Sequence, residues 1–161
     1  MLSDLLIEVV ANGGSVTFMH PLSRDVAACF WKDSLARAKS GDRVVLGAWE
    51  GGELISTVTL DLATPQNQQH RAEIVKLMTR VSHRGRGAAR GLMLEAERIA
   101  AERGRTLLTL DTAEDGGAAG LYEGIGYRRV GVIPDYASKP HGGLTGTIIY
   151  FKQIGSGAQA R

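Results

Sequence analysis

Cysteine is almost missing from this chain. Cys29 is the only one in 161 residues, which excludes an intrachain disulfide and a thiolate metal cluster. The four histidines, His20, His70, His83 and His141, are scattered through loops without metal-ligand spacing. No metal is therefore expected. No apolar run approaches the ~18 residues of a membrane span, so no membrane partner is expected. The opening MLSDLLIEVV carries acids and no basic leader region, unlike a signal peptide. Net charge is only +2, too little for a broad nucleic-acid face. Two phosphate-binding signatures are also missing. There is no G-x-x-x-x-G-K-[ST], and Arg90 spoils the third glycine of a dinucleotide fingerprint. The apolar fraction of 43% is ordinary for one globular domain. Such a chain reads as a cytoplasmic enzyme, with residues 1–154 forming a single domain and 155–161 a disordered tail.

What the chain does have is the stretch LMTRVSHRGRGAAR, Leu77 to Arg90. The run Ala72–Val81 is rich in β-branched residues and predicts a strand. Ser82 and His83 make a turn, glycines follow, and an amphipathic helix begins near Ala88. Glycine lets the backbone approach a ligand closely. The unpaired N–H groups of the helix's first turn favour an anion there. Charge is concentrated on the same segment. From His70 to Arg90 six basic residues face the single acid Glu73, a net +5, so the remainder of the chain sums to −3. A local basic patch of this kind suits a compact polyanion.

The remaining elements follow from periodicity and punctuation. Leu2–Val10 predicts a helix with Ser3 as N-cap and Gly13-Gly14 as its stop. Val16–Met19 predicts an extended piece. Ser23 opens a second helix that ends at Gly41, with Val26, Cys29, Phe30, Ser34 and Ala38 on one apolar stripe. Cys29 is thus assigned to the core, and so are Phe30 and Trp31, whose alternative is to line a substrate cleft. Arg43–Trp49 and Leu54–Leu62 predict strands joined by a hairpin at Glu50-Gly51-Gly52-Glu53. After the glycine turn come the helix Ala88–Arg103, the strand Thr106–Thr112 and the short helix Ala118–Gly124. Tyr127–Ile133 predicts a strand stopping at Pro134, and Thr145–Ile154 the last strand. The expected class is α/β (α+β), with helices on both faces of a mixed sheet and a ligand where strands diverge.

Arg84, Gly87 and Ala89 fit Arg-x-x-Gly-x-Ala, and the pattern resembles the pyrophosphate loop of the GNAT N-acetyltransferases. Downstream, DGGAAGLYEGIGY sets Ala118, Leu121, Tyr122, Gly126 and Tyr127 as in a second motif of that family. The two motifs occur in the family's order, and the resemblance covers roughly residues 43–154. It implies a mainly antiparallel sheet splayed at its middle and acetyl-CoA as cosubstrate. There are departures. Asp115 stands where the family often has Asn, Thr79 and Val81 replace the common Val and Pro, and the usual first strand has no counterpart ahead of the first helix.

The resemblance also implies direct attack by an amine, without an acyl-enzyme. The backbone of Leu77, Met78 and Thr79 would hold the pantetheine arm, with a Met78 or Thr79 N–H on the thioester oxygen. Arg84, Gly85, Arg86, Gly87, Ala88, Ala89 and Arg90 would hold the pyrophosphate. Tyr122 would be the acid for the leaving thiolate. Glu73 and Asp111 compete as the base or as the site for the substrate ammonium, and a carboxylate suits either task. The expected acceptor is a primary amine of a small molecule, handled by a monomer or homodimer. The competing expectations are a protein N-terminus or lysine as acceptor, or a CoA-binding regulator without turnover.

Overall fold

The computed structural model describes residues 1–155; the expectation of a disordered tail falls almost wholly outside them. The elements in chain order are α1 (Leu2–Ala11), α2 (Arg24–Lys39), β1 (Arg43–Glu50), β2 (Glu53–Asp61), β3 (Arg71–Thr79), α3 (Ala88–Glu102), β4 (Leu107–Ala113), α4 (Ala119–Gly124), β5 (Arg128–Ser138) and β6 (Leu144–Gln153). Short 3₁₀ turns at Gln66–Gln68 and Val81–His83 flank β3. The strands form one sheet in the order β1-β2-β3-β4-β6-β5. Every neighbouring pair is antiparallel except β3 and β4.

That parallel pair is short. Only Arg71, Ala72 and Glu73 pair with β4, opposite Leu107, Leu108 and Thr109. Beyond this point β3 continues along β2, and β4 continues along β6 as far as Ala113. The middle of the sheet therefore opens into a splay. The β1–β2 hairpin turns through Gly51 (φ +56°) and Gly52 (φ +82°), the pair of positive φ angles a two-residue type I′ turn requires.

Two apolar cores lie on opposite faces. On one, Leu92, Met93, Ala96 and Ala100 of α3 pack on Val58, Leu60, Ile74, Leu108 and Leu110, with Tyr122, Tyr127 and Tyr150 alongside. On the other, Leu5, Leu6, Val9 and Val10 of α1 and Ala27 and Trp31 of α2 enclose Leu54 and Met78. Ile74 and Met78 of β3, an even number of residues apart, enter opposite cores because the strand changes phase between them. Thr59 pairs with Val75 and Thr57 with Met78, so β3 holds one extra residue there, a β-bulge, and Lys76 sits within it at φ +54°.

Four details differ from the sequence reading. Helix α1 is capped by Met1 without a side-chain bond, and Ser3 lies inside it; the Met1 ammonium instead reaches Asp4 at 2.8 Å. Residues 16–19 belong to no strand. In α2 the Ser23 cap is present, its Oγ accepting from the Val26 N–H at 3.3 Å, and Ser34 is buried as expected, but the stripe runs through Ala27 and Trp31 rather than Val26, Cys29 and Phe30. Val26 is 51% exposed, Cys29 is also exposed and Phe30 is half-buried. The indole of Trp31 has more apolar area to bury, and Ser34 faces inward to accept from Arg43 at 3.0 Å. Finally, β5 runs on through Pro134 to Ser138. It is an edge strand, so the missing proline donor matters little, and a register break between Ile133 and Ala137 absorbs the irregularity.

Candidate active site

The splay leads into two adjoining cavities. The larger, about 780 Å³, runs from the Gly13-Gly14 turn past Leu77, Met78 and Thr79 to the glycine loop and the start of α3. Gly87 takes the left-handed conformation (φ +87°) as the N-cap of α3, and Gly85 is also at positive φ (+72°). The first backbone bond closing onto this cap is from the Gly91 N–H to the Gly87 carbonyl, at 3.0 Å. The N–H groups of Ala88, Ala89 and Arg90 therefore stay unpaired within the helix. All three residues line the cavity, with Arg84, and the first turn of α3 carries no acid. Unpaired N–H groups at a helix N-terminus, with an arginine beside them, form a cradle that suits an anion.

The opened edge of β3 lies along the same cavity. Arg80 donates its N–H to the Ile55 carbonyl at 2.9 Å, toward β2. Strand alternation then turns the Met78 N–H toward β2 and leaves Leu77 and Thr79 facing the splay. The Met78 side chain is buried against α1 and α2. Arg86 is not among the lining residues. Its guanidinium forms two bonds to Glu50, at 3.1 and 3.3 Å, and so ties the loop to the hairpin. His83 does line the cavity. It bonds Ser82 at 2.8 Å and Glu50 at 3.0 Å, a role no sequence signal announced.

The second cavity, about 580 Å³, holds both candidate carboxylates. Glu73 pairs with Thr109, and Asp111 is the next residue of β4 on that face. Burial pushes the Glu73 carboxyl up from its usual range, Arg71 opposes this, and the charges of Asp111 and Asp61 add to it. Asp111 accepts from the Thr147 hydroxyl at 2.8 Å. Lys76 lines the same cavity from the bulge of β3. Burial pulls its ammonium down from the usual range, with Asp111 opposing and Arg43 adding slightly. Its position was not legible in the sequence, because it depends on the register of β3 against β2.

Tyr122 lines both cavities. It is 6% exposed and packs edge-on to Tyr127 at 6.0 Å and tilted to Tyr150 at 5.7 Å. Burial pushes its phenol up to about 12. The charge of Asp111 adds to this, and a hydrogen bond with Thr112 works against it. The residue thus joins a phosphate cradle to a cavity bearing carboxylates.

Residues 14–127 match the acetyltransferase (GNAT) family. The chain belongs to the GNAT family. It is an acetyl-CoA-dependent N-acetyltransferase. Its fold is shared by solved structures at low sequence identity. One is a ribosomal-protein-alanine N-acetyltransferase from Brucella melitensis, 18% identical with a TM-score of 0.78, covering 95% of this chain and 92% of that one. A second is a putative acetyltransferase from Salmonella typhimurium, solved with its cofactor acetyl-CoA. It is 15% identical with a TM-score of 0.78, covering 99% of this chain and 90% of that one. A third is a putative phosphinothricin N-acetyltransferase, 17% identical with a TM-score of 0.75, covering 96% and 92%.

Other residues of this GNAT acetyltransferase stand aside from the site. Cys29 lines neither cavity. The His141 Nε2–H donates to the Ala11 carbonyl (2.9 Å), and its ring lies tilted against that of His20 with centres 4.5 Å apart. Among the described residues no group of His, Cys, Asp or Glu is arranged to hold a metal ion, and no helix is long and apolar enough to cross a membrane.

Proposed function

We propose that this GNAT enzyme acetylates a primary amine of a small molecule by direct attack on acetyl-CoA. The observation that carries the reading is Tyr122 standing between the cradle and an acceptor cavity that bears Glu73 and Asp111. A cavity of about 580 Å³ is of the size that holds small ligands. Two carboxylates on one wall attract an ammonium and offer a base to deprotonate it. The segments HRAEIVKLM, LLTLDT and TIIYFK also resemble a tabtoxin-resistance acetyltransferase, which acts on an amino-acid-like β-lactam toxin. An amino-acid-like toxin or antibiotic is accordingly one acceptor to try.

The cradle fits the cosubstrate. The N–H groups of Ala88, Ala89 and Arg90, with Arg84 beside them, suit a pyrophosphate. The free edge at Leu77 and Thr79 suits the amides of an extended pantetheine arm. When bound, acetyl-CoA supplies the activated acyl group. On the protein side, the Thr79 N–H would bond the acyl oxygen, Glu73 would take a proton from the amine, Asp111 would hold the ammonium, and Tyr122 would donate to the departing sulfur.

Thiol release from acetyl-CoA across a panel of primary amines tests the reading, with an alanyl peptide and a lysyl peptide as the macromolecular arm. Turnover on small amines is expected. Turnover confined to the peptides, or absent on every small amine, would overturn the small-molecule acceptor.

The two carboxylates separate by kinetics. Asp111→Asn is expected to raise KM for the amine about tenfold, the loss of one charge-assisted bond, with KM for acetyl-CoA nearly unchanged. Glu73→Gln is expected to lower kcat and flatten the acid limb of its pH profile. Because burial raises the Glu73 carboxyl, that limb lies at higher pH than an ordinary carboxylate would give. Activity falls as pH drops through it, since a protonated Glu73 takes no proton. If both variants keep wild-type kinetics, the base is water or another group.

A further inference from the structure

Lys76 has no part in the steps above, yet the chain holds it in the acceptor cavity at some strain. Its backbone is left-handed (φ +54°), a conformation a residue with a Cβ seldom adopts. Its ammonium donates to the hydroxyl of Thr17 at 2.9 Å, and Thr17 is itself at φ +76°. Two non-glycine residues at positive φ thus meet at the cavity wall, and the bulge re-aims one of them into it. Below the ammonium, its centre lies 5.7 Å from the ring of Phe30 and 6.0 Å from that of Phe18, and these two rings meet edge-on at 5.2 Å. Among the described residues no carboxylate lies within ion-pair distance of Lys76, and Thr17 is its only hydrogen-bond partner. An ammonium has three donors, so two remain for a ligand.

The opposite charges occupy the same space. The bulge places Lys76 on the cavity that Glu73, Asp111 and Tyr122 also line. Asp111 is near enough to influence Lys76 through its charge, but the two do not meet. One cavity thus presents a cation and a pair of anions that do not neutralise each other.

Building on the small-molecule reading, we propose that the acceptor is a zwitterion, an amino acid or close analogue whose free carboxylate binds Lys76 while its ammonium sits between Glu73 and Asp111. Lys76 is then a specificity residue. It selects acceptors with an anionic group and orients their nitrogen toward Tyr122.

The test compares α-amino acids with their own carboxamides and with the corresponding amines lacking the carboxyl. In the wild-type enzyme kcat/KM for the acid should exceed that for its amide by about 10–100-fold, the range of a hydrogen bond to a charged group. Lys76→Met keeps the length and apolar contact of the stem and removes the charge, so the ratio should fall toward one. Lys76→Arg should retain most of it. Lys76 does not line the larger cavity, so an unchanged KM for acetyl-CoA confirms that the variants are folded. A wild-type ratio near one overturns the proposal and leaves small-molecule acetylation standing. So does a Lys76→Met enzyme that loses acid and amide turnover alike. Absence of turnover on every small amine overturns both readings together.

Discussion

Tyr122→Phe is expected to lower kcat about 10²-fold, the low end of the ~10²–10⁴-fold typical of a general acid. The low end applies because a thiolate is already a fair leaving group, its conjugate thiol having a pKa near ~8.5. The variant keeps the ring, so the contacts with Tyr127 and Tyr150 survive, and affinity for acetyl-CoA should scarcely change. The phenol is pushed up to about 12, chiefly by burial. Its neutral, donating form therefore persists through the ordinary working range, and any basic limb due to Tyr122 lies near that value. A limb at lower pH belongs to another group and should remain in the Phe variant. Single-turnover measurements decide the matter. A wild-type rate for the chemical step would reduce Tyr122 to a packing residue.

Gly87→Val is expected to weaken acetyl-CoA binding by tenfold or more. Two effects combine. A β-branched residue at φ +87° is strained, at roughly 1–2 kcal/mol for the left-handed backbone. A Cβ at this position meets no protein atom within 4 Å, so it projects into open space at the cradle. The fold should tolerate the strain, which is small beside a typical stability of ~5–15 kcal/mol. The ligand should not tolerate the added bulk, and a loss of about 1.4 kcal/mol is already a factor of ten. Calorimetric titration with CoA, with a thermal melt as the folding control, checks this. Full affinity in a folded Val variant would remove the loop from phosphate binding.

Local chemistry made much of the fold legible. The Glu50–Glu53 turn, the Ser23 cap and the Gly87 entry to α3 are each written in a few adjacent residues, and each is present. What escaped the sequence depends on partners distant in the chain. Pro134 ends a strand only if its N–H is needed, and the edge position of β5 removes that need. The buried stripe of α2 was misplaced, apart from Ser34, because a single-helix pattern does not reveal that Ala27 and Trp31 meet Leu54 and Met78 of the sheet. At the site, the motifs pointed to the loop and to Tyr122, which line one cavity. They did not show that Arg86 turns to Glu50, because that choice rests on a hairpin 36 residues away. Nor did they show Lys76, which looks like one more charge in a basic run.

The extra residue in β3 has a consequence for how this chain tolerates change. The strand carries two reading frames of side-chain polarity, with the switch at Lys76. Before it, Ile74 belongs to the core under α3; after it, Met78 belongs to the core under α1 and α2. A substitution anywhere along β3 alters one core, whereas deleting Lys76 would close the bulge and leave an unbroken ladder, with Thr57 still opposite Met78 and Ile74 and Met78 still on opposite faces. The extra residue is thus the one position of β3 that the ladder does not need, and its side chain lines the second cavity.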